Sequence, residues 1–162
     1  MSEWVTHAFE PVFDRHSRVL ILGTMPSPAS REQGFYYSHP RNRFWPVAAA
    51  VFGQTVPETP NEKRAFCLAN GIALWDVLKR CMIDGAADTS IRCPEVNDIP
   101  ALLAKTDIRL VCTTGTKAAQ LYSRHFSHIE LPHAALPSTS PANCRVSLDE
   151  LIEAYRIIKI DQ

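Results

Sequence analysis

The sequence predicts an α/β protein, with a small parallel sheet covered by helices on both faces. Three observations carry this expectation. Short continuous apolar runs (Val19-Leu20-Ile21-Leu22, Ile72-Ala73-Leu74-Trp75 and RLVCT from Arg109 to Thr113) have the length and composition of buried strands. Helical apolar patterns lie between them, and strands alternating with helices at this spacing pair in parallel. No repeat, low-complexity tract or linker interrupts the 162 residues, so 1–162 reads as one domain with a full core.

Residues 1–17 read as a leader anchored by Trp4, Phe9 and Phe13, with a short helix. Residues 18–22 form the first strand. It feeds a stretch from Gly23 to Trp45 that is too rich in Pro, Gly, Ser and aromatics to be one regular element. Loops this long inside compact domains are usually functional or disordered, and Phe35, Tyr36, Tyr37, Phe44 and Trp45 argue for order. A strand, a shaped loop and a helix build a site at the strand's C-terminal end. The helix is expected from about Pro40 to Phe52, with Gly53 closing it and a distortion at Pro46.

A second helix runs from Pro60 to Asn70, stopped by Asn70-Gly71. The strand Ile72–Trp75 delivers Asp76 at its end. Residues 82–93 (Asp84, Gly85, Asp88, Thr89, Ser90) show little periodicity and read as another long loop. A helix from about Glu95 to Lys105 carries Val96, Ile99, Leu102 and Leu103 on one face. After the third strand, Gly115 opens a helix that runs through Phe126. Ile129 to Leu131 is a short fourth strand reaching the loop Pro132–Asn143. Leu148 to Ile158 is the closing helix, with Ser147 and Glu150 as a capping box.

Apolar residues make up 46 % and charged residues 21 %, ordinary for a water-soluble domain. No apolar run could span a bilayer, and MSEWVTHAFEP lacks the marks of a secretory signal, so a cytoplasmic location is expected. The five cysteines (67, 81, 93, 112, 144) include no CxxC or CxxxC. That argues against zinc ribbons, iron–sulfur clusters and a disulfide framework, and for reduced thiols. Formal net charge is zero, yet Arg15 to Trp45 holds five arginines and two histidines against Glu32 alone. Leu131 to Leu148 holds His133 and Arg145 and no acid. Two basic loops on a neutral body suit local phosphate contacts, or are simply solvated.

Chemistry concentrates in those loops. Leu136-Pro-Ser-Thr-Ser-Pro-Ala-Asn143 offers three hydroxyls and an amide on a stiffened backbone, suited to DNA contacts or to an ordinary capped turn. Asn42, in the first turn of the expected helix, offers a donor and an acceptor beside the positive end of the helix dipole. It could hold a leaving anion or cap its own loop. Tyr36 and Tyr37 in extended chain would face opposite sides, one packed and one flat against a planar ligand, unless both anchor the loop. His39 and His133 lack second ligands at metal spacing, so no metal site is read. Asp76 and Asp88 could orient a water or make loop hydrogen bonds.

Together these pieces resemble the uracil-DNA glycosylase superfamily, and within it the hypoxanthine-DNA (deoxyinosine) branch. Gly23-Thr-Met-Pro-Ser27 stands where the first motif's glycine-x-x-proline turn stands. Tyr37-Ser-His-Pro-Arg-Asn-Arg-Phe-Trp45 is similar to the phenylalanine/tyrosine-x-His-Pro-x-Asn-Arg-Phe-Trp segment of the mismatch-specific and hypoxanthine-specific branches. Leu136–Asn143 resembles the second motif, which enters the minor groove. Leu74–Val77 and Asp88–Ile91 are also similar. Mismatch-specific relatives carry Asn where Met25 stands, and classical uracil enzymes carry Asp nearby.

The resemblance implies a three-layer α/β/α sandwich and a monofunctional enzyme that hydrolyses the N-glycosidic bond of deaminated bases in DNA, hypoxanthine first, leaving an abasic site. It implies Asn42 as the catalytic residue, because Met25 can neither orient a water nor act as a base. Gly23, Thr24, Met25, Tyr37 and His39 would bind the base; Ser27, Arg41, Ser138, Thr139, Ser140 and Asn143 would contact DNA. No metal, cofactor, membrane or obligate protein partner is implied. Bond cleavage through an oxocarbenium-like sugar needs charge stabilised on the leaving base more than a strong base. No lysine lies in either motif loop, so no Schiff-base step is expected. Two other readings remain, a mismatch-type uracil-DNA glycosylase and a non-catalytic DNA-binding relative.

Overall fold

The computed structural model describes residues 2–7 and 9–160. Four parallel strands form the central sheet: β2 (Val19–Gly23), β3 (Ile72–Asp76), β6 (Leu110–Thr114) and β7 (His133–Leu136), in the order β3-β2-β6-β7. Alternate side chains leave each strand on opposite faces. Val19, Ile21, Ile72, Leu74 and Cys112 point to one face, where they meet α2 (Phe44–Phe52), α3 (Pro60–Ala69) and α6 (Leu148–Tyr155) through Val47, Phe66, Leu151 and Tyr155. Leu20, Leu22, Ala73 and Val111 point to the other, against Ile99 and Leu102 of α4 (Ile99–Ala104) and Leu121 of α5 (Thr116–Phe126). Helices therefore cover both faces, in three layers. Burial on both sides is what makes β2, β3 and β6 continuous apolar runs.

A second, antiparallel sheet, which the sequence reading lacks, joins β1 (Glu3–Thr6), β4 (Leu78–Asp84) and β5 (Ala87–Val96) in the order β1-β4-β5. The expected leader helix is strand β1, of which only Val5 is buried. The expected loop at 82–93 is most of a hairpin turning at Gly85-Ala86, where Gly85 takes φ +60°. Three register shifts along β4–β5 break the period-two pattern that would have announced it. Val5, Leu78, Cys81 and Ile83 seal this sheet to the second core face.

Other boundaries move for local reasons. The first long helix begins at Phe44, not Pro40, because residues 39–42 form a turn closed by Asn42 N–H donating to the His39 carbonyl at 2.9 Å. Pro46 is thus the third helical residue, where its missing N–H costs nothing, and no distortion follows. A short helix, α1 (Pro28–Gln33), stands inside the expected 23–45 loop, capped by Ser27. The helix expected from Glu95 begins at Ile99 with Asp98 as its cap, since Glu95 and Val96 end β5. The fourth parallel strand is 133–136 instead of 129–131, which moves His133 out of the loop. The closing helix ends at Tyr155 and continues as a 3-10 turn to Ile158.

Candidate active site

A cavity of about 560 Å³ opens at the C-terminal ends of β2 and β3, between the turn 23–27, the segment 36–42, the hairpin and the loop after β7. Its floor is set by Gly23 and Asp76, direct neighbours in the parallel ladder. A Cβ on Gly23 would lie 2.5 Å from Asp76 Oδ1, so only glycine lets the carboxylate sit there. Asp76 is buried; its Oδ2 meets His7 Nε2 at 2.7 Å, and its backbone carbonyl accepts from Asn97 Nδ2 at 2.9 Å. His7 is itself held by its N–H donating to the Lys79 carbonyl at 2.7 Å.

Past Gly23 the chain leaves the sheet. The N–H groups of Thr24 and Met25 are taken up by no protein acceptor among the described residues. After α1 the chain returns through Phe35-Tyr36-Tyr37. Tyr36 packs inward, edge-on to Phe9, and its hydroxyl donates to the Glu10 carbonyl at 3.1 Å. Tyr37 adopts φ +52°, in the left-handed region that non-glycine residues rarely occupy. One face of its ring stacks on Phe44 at 4.1 Å and 13°, while the half-buried side chain lines the cavity. Its hydroxyl oxygen is sealed from solvent without a hydrogen bond of good geometry. Burial pushes the Tyr37 phenol well above its ordinary range, the Asp76 charge adds to this, and the neighbouring Thr114 hydroxyl pulls the other way.

Asn42 is the best-defined polar group of the site. Its Oδ1 accepts from Phe44 N–H at 2.9 Å and from the Thr139 hydroxyl at 2.8 Å. Two donors on one oxygen fix which way the amide faces and leave Nδ2 over, on the wall of the cavity. Asn42 thus takes up the first N–H of helix α2 with its oxygen and keeps its donor available.

Arg43 ties the same segment across the molecule. Its guanidinium donates to the carbonyls of Val146 at 2.6 Å and Asn143 at 2.9 Å, and its N–H to Thr139 at 3.1 Å. The loop it clamps is shaped from within: Ser138 Oγ accepts from Ser140 N–H, Asn143 Nδ2 donates to the Ser138 carbonyl, and Tyr155 donates to Pro137.

The structure brings most of the residues singled out from sequence to one place. Gly23, Thr24, Met25, Ser27, Tyr37, His39, Asn42, Ser138, Thr139 and Ser140 all line the cavity. His39 Nδ1 accepts the Arg41 N–H at 3.0 Å, which closes the turn. Arg41 is exposed on that turn and Asn143 lies in the loop; neither lines the cavity. Sequence reasoning gave no role to Arg43 or His7 and left Asp76 undecided. Asp88, from β5, reaches the cavity edge beside Thr24. Although the residue is exposed, desolvation of its carboxyl at that edge raises its pKa; Lys117 opposes this and Asp76 reinforces it. Among the described residues no three His, Cys, Asp or Glu side chains are grouped to hold a metal ion, and no helix is long and apolar enough to cross a membrane. Cys67, Cys81 and Cys112 are buried and free, and Cys93 and Cys144 are exposed and free.

Comparison with known proteins gives concordant results. The family model described as the uracil DNA glycosylase superfamily matches residues 10–157. A hypoxanthine DNA glycosylase of Methanosarcina acetivorans is 34 % identical over 145 residues, covering 88 % of this chain and 91 % of that protein. Another, from Methanosarcina barkeri, is 33 % identical over 114 residues, covering 69 % and 72 %. A solution NMR structure from M. acetivorans, described as a candidate uracil DNA glycosylase, superposes with a TM-score of 0.82 at 30 % identity. It covers 99 % of this chain and 100 % of that one.

Proposed function

The chain belongs to the uracil DNA glycosylase superfamily, and from that premise we propose that it removes hypoxanthine from DNA by hydrolysing the N-glycosidic bond, leaving an abasic site. The observation that carries the catalytic assignment is the Asn42 amide, whose oxygen is doubly engaged and whose Nδ2 is left over on the cavity wall.

A base inside a duplex cannot reach such a cavity, so the enzyme takes it out of the stack, most cheaply where pairing is already weak. The free face of Tyr37 supports the flipped ring, backed by Phe44. As the bond to C1′ breaks, negative charge grows on the base. Asn42 Nδ2 and the unengaged N–H groups of Thr24 and Met25 are fixed donors for it. Bond breaking then runs ahead of water addition to the sugar. The cavity wall includes no lysine among the described residues, which favours water over an amine as the final nucleophile. The exposed Arg41 and the hydroxyls of Ser27, Ser138 and Ser140 stand at the rim, where phosphate contacts would position the strand. We place this work in the cytoplasm, in keeping with five free cysteines.

The test is incubation of the protein with labelled duplexes, each holding one hypoxanthine, uracil or xanthine, or only intact bases. Alkali-sensitive nicks at hypoxanthine are expected. Nicks at uracil alone would correct the base, and binding without nicks at any base would overturn the enzymatic reading.

A further inference from the structure

Among the described residues three acidic side chains line the cavity, Glu32, Asp76 and Asp88, and the mechanism above uses none of them. Their places differ. Asp76 lies buried on the floor, with Oδ2 held by His7. Glu32, exposed on α1, has no hydrogen-bond or ion-pair partner among the described residues. Asp88 stands at the mouth, in a tightly tied frame. The register pairs Asp84 with Ala87, so Asp88 is the first residue past the closed end of the hairpin. Ser90 Oγ laces that end, accepting from Asp84 N–H at 2.8 Å and donating to the Ala87 carbonyl at 2.6 Å. Beside it the turn at Gly23-Thr24 is fixed too. The Gly23 carbonyl accepts from Val77 N–H at 2.8 Å and the Thr24 carbonyl from Leu78 N–H at 3.1 Å.

We propose that Asp88, on the β4–β5 hairpin, is the catalytic carboxylate that receives the attacking water and faces the cationic sugar. This rests on the glycosylase reading and deepens it. A base seated between Tyr37 and Asn42 sends its glycosidic bond outward, so the reacting carbon meets the mouth and not the floor. The floor carboxylate is therefore out of place for the water, and the Met25 side chain on the motif turn has nothing to offer it. The step balances with water alone. The bond from C1′ to the base breaks and its electron pair leaves on the base. The water oxygen then bonds to C1′, one water proton passes to the Asp88 carboxylate and on to solvent, and the base anion takes a proton from solvent. A fixed negative charge beside an oxocarbenium-like sugar also lowers the barrier before the water adds. Desolvation at the cavity edge, reinforced by Asp76, moves the Asp88 carboxyl above its ordinary range and makes it the better base, while Lys117 on α5 and the Thr24 hydroxyl keep the charged form in play.

The experiment measures single-turnover release of hypoxanthine across pH by the wild-type protein, Asp88→Asn, Asp88→Ala and Glu32→Gln. Asp88 is exposed, so its variants should fold as the wild type does. Asp88→Asn should lower the rate by about 100-fold, within the range for a lost general base. Its affinity for a duplex holding 2′-fluoro-deoxyinosine, which resists cleavage because fluorine disfavours the sugar cation, should stay the same. A base acts only when deprotonated, so the wild-type rate should fall as the pH drops through the Asp88 pKa, and Asp88→Asn should lose that acid limb. Formate, a carboxylate small enough for the space left in Asp88→Ala, should restore part of the rate. Glu32→Gln should keep it. Asp88→Asn at the wild-type rate, a loss matched by lost affinity, or an acid limb that persists in Asp88→Asn would each overturn the proposal. So would a loss confined to Glu32→Gln. A wild-type protein that releases no deaminated base at all would instead overturn the glycosylase reading beneath it.

Discussion

The parallel sheet has two ends, and each carries a hollow with polar side chains on its wall. At the N-terminal end, His16, Arg18, Asn70, Gly71 and the residues around Ile158 line a depression of about 280 Å³. There Asn70 is used up. Its Nδ2 donates to the Phe66 carbonyl at the close of α3, and its amide exchanges hydrogen bonds with Gln54. The Arg18 backbone is likewise spent on Gly71 and Arg109. At the C-terminal end, Asn42 and Asp76 are each held by one half and leave the other half over. Concavity and polar side chains are common to both hollows. What separates them is a polar atom fixed by its neighbours and still unsatisfied.

The contrast can be broken most directly at Asn42. Asn42→Asp keeps an oxygen for Phe44 N–H and Thr139 but has no donor to offer. A loss of about 100- to 1,000-fold in single-turnover rate is expected, as for removal of one oxyanion-hole donor. Asn42→Ala should match it while also lowering the melting temperature, since the cap is lost. An active Asn42→Asp enzyme would mean that the spare Nδ2 is not the catalytic group. Gly23→Ala comes next. Its Cβ would meet Asp76 Oδ1 at 2.5 Å, so the floor must shift, at a cost of about 1–3 kcal/mol in denaturant unfolding. Activity should fall with it.

Thr139→Val sharpens the comparison, because it removes the lock and leaves Asn42 in place. Thr139 is 1 % exposed and valine is close to it in shape, so folding should change little. A rate loss of about 10-fold is expected, of the size seen when a group supporting a reacting residue is removed. Thr139→Ser should restore the rate. The smallest effect belongs to the opposite hollow. Asn70→Ala should cost about 1 kcal/mol of stability, the worth of a typical hydrogen bond, and nothing in rate. A slower enzyme there would erase the distinction between the two ends.

Legibility in the sequence followed burial. Three of the four parallel strands were readable because both their faces are covered, which writes unbroken apolar runs such as Val19–Leu22; the fourth, His133–Leu136, is mostly unburied and was misplaced. The β1-β4-β5 sheet was not: Trp4 is largely exposed, much of β5 is solvated, and the register shifts scramble alternation. Asp84-Gly85 was the signal available for that hairpin. At the site, Gly23 and Asn42 stood out because their motifs are local. His7 did not, since nothing near residue 7 in the sequence points to residue 76. Arg43 sat inside a legible motif, but its partners lie beyond residue 140. A motif records which atoms are present, and the distant contacts decide which of them are left free.

Those distances have a consequence for how the chain matures. The contacts that assemble the cavity join residues 69, 97, 100 and 103 positions apart. Closing such loops costs entropy before any bond forms, so contacts of this kind tend to arrive late in folding. During synthesis, Asn42 leaves the ribosome long before Thr139 exists to hold it. A nascent chain can therefore own Asn42, its first strand and helix α2, and still have an amide free to turn either way. Competence arrives only with the loop that follows the last strand.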